Sequence, residues 1–215
     1  MRRRKKKGSF EKYKSFIELD LSRNENIREN VSKFIYDDNG KKYPLLLELG
    51  AGRCAFSIEL AKRNFDKKVI AVEFKEELLN IACNDVDNEQ LTNIKFIHGF
   101  IEKIEDWFDE NSVDSLYLNF SDPWPKARHF KRRLTYREFL KKYSKILKKN
   151  GIIEIKTDQK SLYDFTLEEL EYLGMQIEYK TENLEHSSEN ILTDYEKKFR
   201  EKGNNIFKII VINNK

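Results

Sequence analysis

Apolar runs of seven to nine residues recur along the chain, and most are separated by longer segments whose apolar residues have helical spacing. Runs of this length are typical of strands. They lie at residues 44–50, 68–74, 93–99, 113–120, 151–157, 175–181 and 205–213. The first five alternate with helical segments, and two strands close the chain. This order predicts an α/β fold, a doubly wound, seven-stranded, mostly parallel sheet with helices on both faces.

Two of the intervening helices carry clear signals. Thr135 and Glu138 have the spacing of a capping box at the start of one helix, and Asn150-Gly151 supplies its stop. One face of this helix is apolar and comprises Tyr136, Phe139, Leu140, Tyr143, Ile146 and Leu147. A second helix is predicted at about residues 160–173.

The chain is predicted to form one domain with an extension. Its 215 residues, 39% of them hydrophobic, suffice for one substantial core, and no repeat or linker divides them. We expect a basic extension at residues 1–43 and a single domain at residues 44–215. No apolar run approaches the roughly 20 residues that span a membrane, and none follows the basic start as in a signal peptide. A cytoplasmic protein without a membrane partner is therefore expected.

Charge is unevenly distributed along the chain. Charged residues make up 36% of it, yet the net charge is only +4. Residues 2–7 are all basic, and a second basic cluster lies within residues 126–133. Such clusters favour a polyanion as partner, although a solvated charged tail is an equal alternative for the N-terminal arm. Cys54, Cys83 and three histidines suggest neither a disulfide framework nor a metal site.

A glycine loop follows the first predicted strand, in the stretch "LELGAGRCA" at residues 47–55. Gly50 and Gly52 permit a tight turn and a close approach of a ligand to the backbone. Glu73, at the end of the second strand, has the position of an acid that binds a ribose hydroxyl. Together they predict a site for a nucleotide-like cofactor.

Glu48 bears on the choice of cofactor because it lies two residues before the first glycine. A carboxylate here repels the pyrophosphate of NAD, but it suits the ammonium and sulfonium of S-adenosylmethionine. The pattern therefore favours a methyl donor, and an NAD-dependent oxidoreductase remains the alternative enzyme. Surface or helix-capping carboxylates are the alternative interpretation of Glu48 and Glu73.

The stretch "FSDPWPKARHFKRRLTY" at residues 120–136 follows the fourth strand. Ligands of doubly wound sheets bind at the carboxyl ends of the strands where the strand order reverses, so Asp122 is expected beside the cofactor. Two prolines stiffen the turn, and Trp124 offers a stacking face or packs in the core. A basic rim that could hold RNA phosphates follows, formed by Lys126, Arg128, His129, Lys131, Arg132 and Arg133.

The same stretch closely resembles the signature F-x-D-P-W-x-K-x-R-H-x-K-R-R of the bacterial tRNA (guanine-N7-)-methyltransferase family. The stretch "IKTDQKSLYDF" at residues 155–165 resembles the T-D motif of that family, and "LTDYEKKFREKGNNIFKI" at 192–209 resembles its C-terminal T-x-[FY]-E element. The resemblance covers about residues 45–210, and the N-terminal arm resembles the variable tRNA-contacting segment. It implies a Rossmann-like sheet of the class I methyltransferase type.

The implied reaction transfers the methyl group of S-adenosylmethionine to N7 of a tRNA guanine, in the variable loop, leaving S-adenosylhomocysteine. Glu48, Glu73 and Asp122 match cofactor-binding positions, and Asp122 also matches the proposed catalytic aspartate. Substrate-binding positions of the family are matched by Lys126, Asp158, Thr193, Asp194, Tyr195 and Glu196.

Two residues depart from the family pattern. Cys54 stands where many members have a third glycine. Phe100 stands where the family has an acid near the adenine, so Gly99 or Phe100 is expected to hold the adenine through backbone groups or stacking.

Guanine N7 carries an in-plane lone pair and no proton, so its methylation needs no general base. Asp122 is therefore expected to act by orientation and electrostatics, while Asp158 accepts hydrogen bonds from the N1–H and N2–H₂ edge of the guanine. A non-catalytic RNA-binding protein with a degenerate cofactor fold and a small-molecule methyltransferase remain alternatives. The sequence leaves open whether the protein is a monomer or a homodimer.

Overall fold

The computed structural model describes residues 18–23 and 26–215, so the basic arm predicted at the start of the chain lies outside the described residues. Seven strands form a single sheet: β1 Leu45–Leu49, β2 Lys68–Glu73, β3 Ile94–His98, β4 Val113–Asn119, β5 Leu147–Thr157, β6 Gln176–Thr181 and β7 Phe207–Ile212. Their order in the sheet is β3-β2-β1-β4-β5-β7-β6.

The sheet is parallel except at one strand. Strands β1 to β5 pair in parallel, whereas β7 runs antiparallel to both of its neighbours. The predicted seven-stranded, mostly parallel α/β fold is thereby confirmed. The order of the strands reverses between β1 and β4, so ligands are expected beyond the carboxyl ends of these two strands.

Helices cover both faces of the sheet. They are α1 Ile27–Ile35, α2 Ala55–Arg63, α3 Glu76–Asn88, α4 Ile104–Trp107, α5 Arg137–Ile146, α6 Lys160–Tyr172 and α7 Asp194–Glu201, with short 3₁₀ turns at Ile101–Lys103 and Ala127–Arg132. Successive side chains of β1 point to opposite faces of the sheet and lie in different apolar clusters, Leu47 in one and Leu46 in the other.

Helix α1 is part of the folded domain. Its Val31 and Ile35 are buried in the same apolar cluster as β1 and α5, and Arg28 donates hydrogen bonds to the backbone carbonyls of Glu105 and Asp106. The division of the chain at residue 43 stays a prediction, although this helix lies before it and packs into the core.

The predicted ends of α5 were wrong. The helix begins at Arg137, and its N-cap residue Tyr136 makes no side-chain capping bond. The Thr135 hydroxyl is buried and instead accepts a hydrogen bond from Thr166 Oγ1 at 2.9 Å. The helix also ends earlier, because β5 starts at Leu147 and Asn150, at φ +63°, forms a bend near the start of that strand.

Candidate active site

The glycine loop folds against the neighbouring strand β2. Gly50 and Gly52 have φ of +71° and +57°, which a residue with a Cβ adopts only at a cost. The N–H groups of Gly50 and Ala51 both donate to the Val72 carbonyl, at 2.9 and 3.0 Å. The loop thus reverses the chain beside the carboxyl ends of β1 and β2, as the sequence predicts.

Cys54 also lies in the left-handed region, at φ +58°, as the N-cap residue of α2. This conformation explains why glycine suits the position, and cysteine bears a cost of roughly 1–2 kcal/mol there. Its side chain is fully buried. Burial raises the pKa of the Cys54 thiol well above its usual range, so the thiol stays protonated.

Glu48 is buried, with 2% of its surface exposed. Its carboxylate accepts hydrogen bonds from Ser57 Oγ at 2.5 Å and from Asn119 Nδ2 at 3.0 Å. Burial raises the pKa of Glu48 from 4.5 to about 7, although both hydrogen bonds oppose the shift. This burial excludes a surface role for Glu48.

The surroundings of Glu48 fit a cationic ligand. A desolvated carboxyl that is only partly ionised near neutral pH gains stability when a cation binds beside it, whereas a pyrophosphate would be repelled. The Oδ1 atom of Asn119 is also buried and has no hydrogen-bond partner in the described part of the chain. An ammonium group is one donor that suits both of these acceptors. Asn119 was missed by the sequence analysis, although its place at the end of the fourth strand was visible there.

Glu73 ties the glycine loop to β2. Its Oε2 accepts the N–H of Gly52 at 3.0 Å, and its Oε1 accepts the N–H groups of Phe74 and Lys75, each at 3.0 Å. The side chain is buried at the end of the strand. A loop-fixing function is therefore visible in the structure, and the contact with a ribose stays a prediction.

Gly99 and Phe100 lie beyond the end of β3. A Cβ at Gly99 would come within 2.7 Å of the Trp107 indole, so packing alone requires glycine there. The Phe100 ring is 64% exposed and stacks on the exposed ring of Phe74, with 6.0 Å between the ring centroids. This pair provides an apolar surface next to the cofactor loop on which a planar ring can stack.

The loop after β4 is held in an unusual backbone conformation. Phe120 and Trp124 both have positive φ, +52° and +41°, which costs roughly 1–2 kcal/mol for each residue with a Cβ. Strain of this kind persists only where surrounding contacts enforce it, and it is common at functional sites. Asp122 lies between these residues, exposed, and its carboxylate forms no hydrogen bond or ion pair with any residue that the structure describes.

Trp124 is not a core residue. It is partly exposed. The Arg132 guanidinium lies 4.9 Å from the centre of its ring, and the His129 ring meets it edge-on at 5.6 Å. Of its two predicted roles, the structure thus favours an accessible stacking face.

Arg133 departs from the expectation for the basic rim. It is buried, donates to the carbonyls of Pro123 and Trp124 at 2.9 and 3.2 Å, and lies over the Phe165 ring at 4.3 Å. Its guanidinium therefore holds the strained loop and faces away from solvent. The other members of the rim are exposed or partly exposed, and comprise Lys126, Arg128, His129, Lys131 and Arg132.

Helix α7 carries four of the substrate positions that the resemblance implies. Thr193 is its N-cap residue, and its hydroxyl accepts the N–H of Glu196 at 2.9 Å. Glu196 is fully buried and receives hydrogen bonds from Asn190, Arg200 and the buried Lys156. The carboxylate of Glu196 is thus directed into the protein, whereas Asp194 and Tyr195 are exposed.

A row of aromatic rings joins this helix to the strand-four loop. Tyr195 stacks on Phe199 with 6.3 Å between centroids, and Phe199 stacks on Phe120 at 6.1 Å. Asp158, directly after β5, is partly exposed and accepts a hydrogen bond from Gln159. Because β1, β4 and β5 are neighbours in the parallel part of the sheet, the loops after them meet at one edge.

No group of three or more His, Cys, Asp or Glu residues that could hold a metal occurs in residues 18–23 and 26–215. Within the same ranges, no helix combines the length and the apolar character needed to cross a membrane.

The strand order and the acidic glycine loop define the fold of class I S-adenosylmethionine-dependent methyltransferases. Two solved structures have the same fold at low identity. An antibiotic-related methyltransferase superposes with a TM-score of 0.66 at 16% identity, covering 86% of this chain and 94% of the other. An S-adenosylmethionine-dependent methyltransferase from Aquifex aeolicus gives a TM-score of 0.55 at 17% identity, covering 94% and 98%.

Sequence comparison identifies the family more narrowly. A family model described as a putative methyltransferase matches residues 42–209. The tRNA (guanine-N(7)-)-methyltransferase of Mesoplasma florum is 42% identical over 184 residues, covering 80% of this chain and 82% of the relative. The enzyme of the same name from Bacillus cytotoxicus is 35% identical over 212 residues, covering 97% and 95%. The chain belongs to the tRNA (guanine-N7-)-methyltransferase family, and the NAD-dependent alternative is set aside.

Proposed function

We propose that the protein transfers the methyl group of S-adenosylmethionine to N7 of a guanine in tRNA, forming 7-methylguanosine. The observation that carries this proposal is the position of Asp122. Its unpaired carboxylate lies in a strained loop at the end of β4, where the strand order reverses beside the acidic glycine loop, and the basic rim follows it directly. A variable-loop guanine as target and a cytoplasmic location belong to the same proposal.

The cofactor, when bound, supplies an electrophilic methyl group on a sulfonium centre. Glu48 and the Oδ1 atom of Asn119 together suit its ammonium group, because one offers a carboxylate and the other an unpaired acceptor. In this proposal Glu73 also accepts a hydrogen bond from a ribose hydroxyl. The stacked pair of Phe74 and Phe100 provides a face for the adenine.

Asp122 acts on the guanine without taking a proton. The nucleophilic N7 has no proton to lose, and the ring becomes cationic as the new bond forms. A fixed carboxylate near the ring orients the base and stabilises this growing positive charge. Asp158 accepts from the N1–H and N2–H₂ edge, which distinguishes guanine from adenine.

Exposed residues contact the RNA, whereas buried residues hold the elements that carry them. The exposed rim contacts phosphates through Lys126, Arg128, His129, Lys131 and Arg132, and Asp194 and Tyr195 contact the RNA from α7. Thr193 and Glu196 act by fixing the position of α7. The Thr193 hydroxyl accepts an N–H of the first turn of the helix, and Glu196 forms a buried ion pair with Lys156. Arg133 holds the loop that carries Asp122.

Labelled S-adenosylmethionine and a tRNA transcript without modifications test this function. Label is expected in 7-methylguanosine after nucleoside analysis. Asp122→Asn should lower kcat by about a hundredfold or more, because one preorganised electrostatic contact contributes that much. The control is Asp66→Asn, an exposed aspartate before β2. Label on another base, no label on RNA, or full activity of Asp122→Asn would contradict the proposal.

A further inference from the structure

A row of buried polar side chains crosses three neighbouring strands at the carboxyl edge of the sheet. Glu48 on β1, Asn119 on β4 and Lys156 on β5 are 2%, 8% and 1% exposed. Asn119 and Lys156 are direct partners in the pairing of β4 with β5, so their side chains lie on the same face. Lys156 lies within the stretch at residues 155–165 that resembles the T-D motif, but the sequence assigned it no role.

Lys156 uses its ammonium group to hold a segment that lies far away along the chain. Its Nζ donates to Asn190 Oδ1 at 2.7 Å, to the Ile191 carbonyl at 3.1 Å and to Glu196 Oε2 at 3.3 Å. These three bonds match the three protons of an ammonium. A second carboxylate, from Glu154, lies 3.9 Å away.

The acceptors of Lys156 are themselves joined to one another. Asn190 Nδ2 donates to Glu196 Oε1 at 2.7 Å, and Arg200 pairs with the same carboxylate at 2.8 Å. Glu196 lies in the first turn of α7, which Thr193 caps. The cluster therefore fastens the start of α7 to β5, the neighbour of strand β4, and Asp122 lies in the loop that follows β4.

We propose that Lys156 is a positioning residue for the reaction, which fixes the first turn of α7 so that Asp194 and Tyr195 meet the RNA beside the loop of Asp122. The proposal rests on the proposed function. Buried ion pairs add little stability compared with apolar packing, yet breaking one is costly. A cluster of buried charges is thus a poor way to stabilise α7, but its directional bonds are a good way to fix its position.

Lys156→Met tests the proposal because it removes the charge and keeps a similar volume. The KM for tRNA should rise about tenfold, since small displacements of positioning groups have large kinetic effects. Affinity for S-adenosylhomocysteine should change much less, because Ser57 and Asn119 hold the Glu48 carboxylate directly. The matched control is Lys208→Met. Lys208 is the partner of Lys156 on β7 and pairs with Glu154 at 2.9 Å.

A double variant separates positioning from stability. Lys156→Met combined with Glu196→Gln removes both charges and should recover much of the thermal stability lost in the single variant. The KM for tRNA should nevertheless stay raised. If the double variant recovers both properties, or if Lys208→Met raises the KM equally, Lys156 has no positioning role and the proposal is overturned.

Hydrogen exchange provides a readout that involves no RNA. The backbone amides of α7 should exchange faster in Lys156→Met than in the Lys208→Met control. Equal exchange in the two variants would overturn the proposal. If the wild-type protein methylated no tRNA, the proposed function would fail, and the exchange data would still decide whether Lys156 fixes this helix.

Discussion

At the scale of single residues, Glu48 gives the clearest dependence on pH. Burial raises the pKa of its carboxyl to about 7 in the folded protein, from the ordinary value of 4.5 that applies to the unfolded chain. A carboxyl with a raised folded pKa contributes stability that is complete below the unfolded pKa and is lost as the pH rises through the folded pKa. Between pH 5 and pH 8 this contribution should fall by on the order of 3 kcal/mol.

The comparison with Glu48→Gln isolates this effect. The free energy of unfolding of the wild type, minus that of the variant, should decrease from pH 5 to pH 8 because the variant has no carboxyl to ionise. Denaturant titrations of both proteins at several pH values measure the difference. A difference that stays constant over this range would show that the buried carboxyl does not titrate as expected.

The sequence identified candidate residues where their chemistry is distinctive, and the roles of these residues stay predictions. Glu48 and Asp122 were singled out because an acid beside a cofactor loop has few other uses. The burial of Arg133 and Glu196 was not predicted, because a charged side chain in a motif says nothing about where it points. Their partners, the carbonyls of residues 123–124 and the ammonium of Lys156, are brought near only by tertiary folding.

At the scale of elements, the loop after β4 depends on one buried arginine. Arg133→Met would leave the carbonyls of Pro123 and Trp124 without this donor and would remove the cation from the Phe165 ring. We expect a loss of about 2–3 kcal/mol in the free energy of unfolding and a lower kcat, because the loop that carries Asp122 is no longer held.

Arg132→Met is the matched comparison for this loop. Arg132 is exposed over Trp124, so its loss should leave stability almost unchanged and weaken tRNA binding. The slope of the logarithm of tRNA affinity against the logarithm of salt concentration should become shallower by about one unit. If Arg133→Met instead changed the salt slope and left the thermal stability intact, the two arginines would have the opposite roles.

The ends of elements were harder to predict than the elements themselves. Thr135 and Glu138 have the spacing of a capping box, but Thr135 is bonded to Thr166 on α6 and Glu138 pairs with Lys141. A tertiary hydrogen bond thus replaced a local one. The strands were placed well because their apolar character reflects burial within the sheet, which is a property of the whole fold.

At the scale of the whole molecule, the candidate site joins distant parts of the chain. The glycine loop follows β1, the loop that carries Asp122 follows β4, and helix α7 lies near the C-terminus. The succession of strands and helices predicted the sheet, and the position of the glycine loop after the first strand indicated which edge binds ligands. The sequence could not predict the packing of α7, because it depends on the contacts of Lys156 and on the aromatic row from Phe120 to Tyr195.

Tyr195 provides the last prediction, since it is the outer end of that row. An exposed ring supported by stacked neighbours is a suitable face for an unpaired RNA base, and base stacking contributes about 1–3 kcal/mol. Tyr195→Ala should therefore weaken tRNA binding roughly tenfold or more in a fluorescence titration. Tyr195→Phe should bind like the wild type because the ring is kept.

Tyr179 on β6 supplies the matched control. It is an exposed tyrosine, 44% against 62% for Tyr195, but it lies on the strand at the outer edge of the sheet. Tyr179→Ala should leave tRNA affinity unchanged. If both alanine variants weakened binding equally, the effect would be general to exposed tyrosines. If Tyr195→Phe lost affinity as well, the phenol hydroxyl would be the group that contacts the RNA, and stacking would not explain the contact.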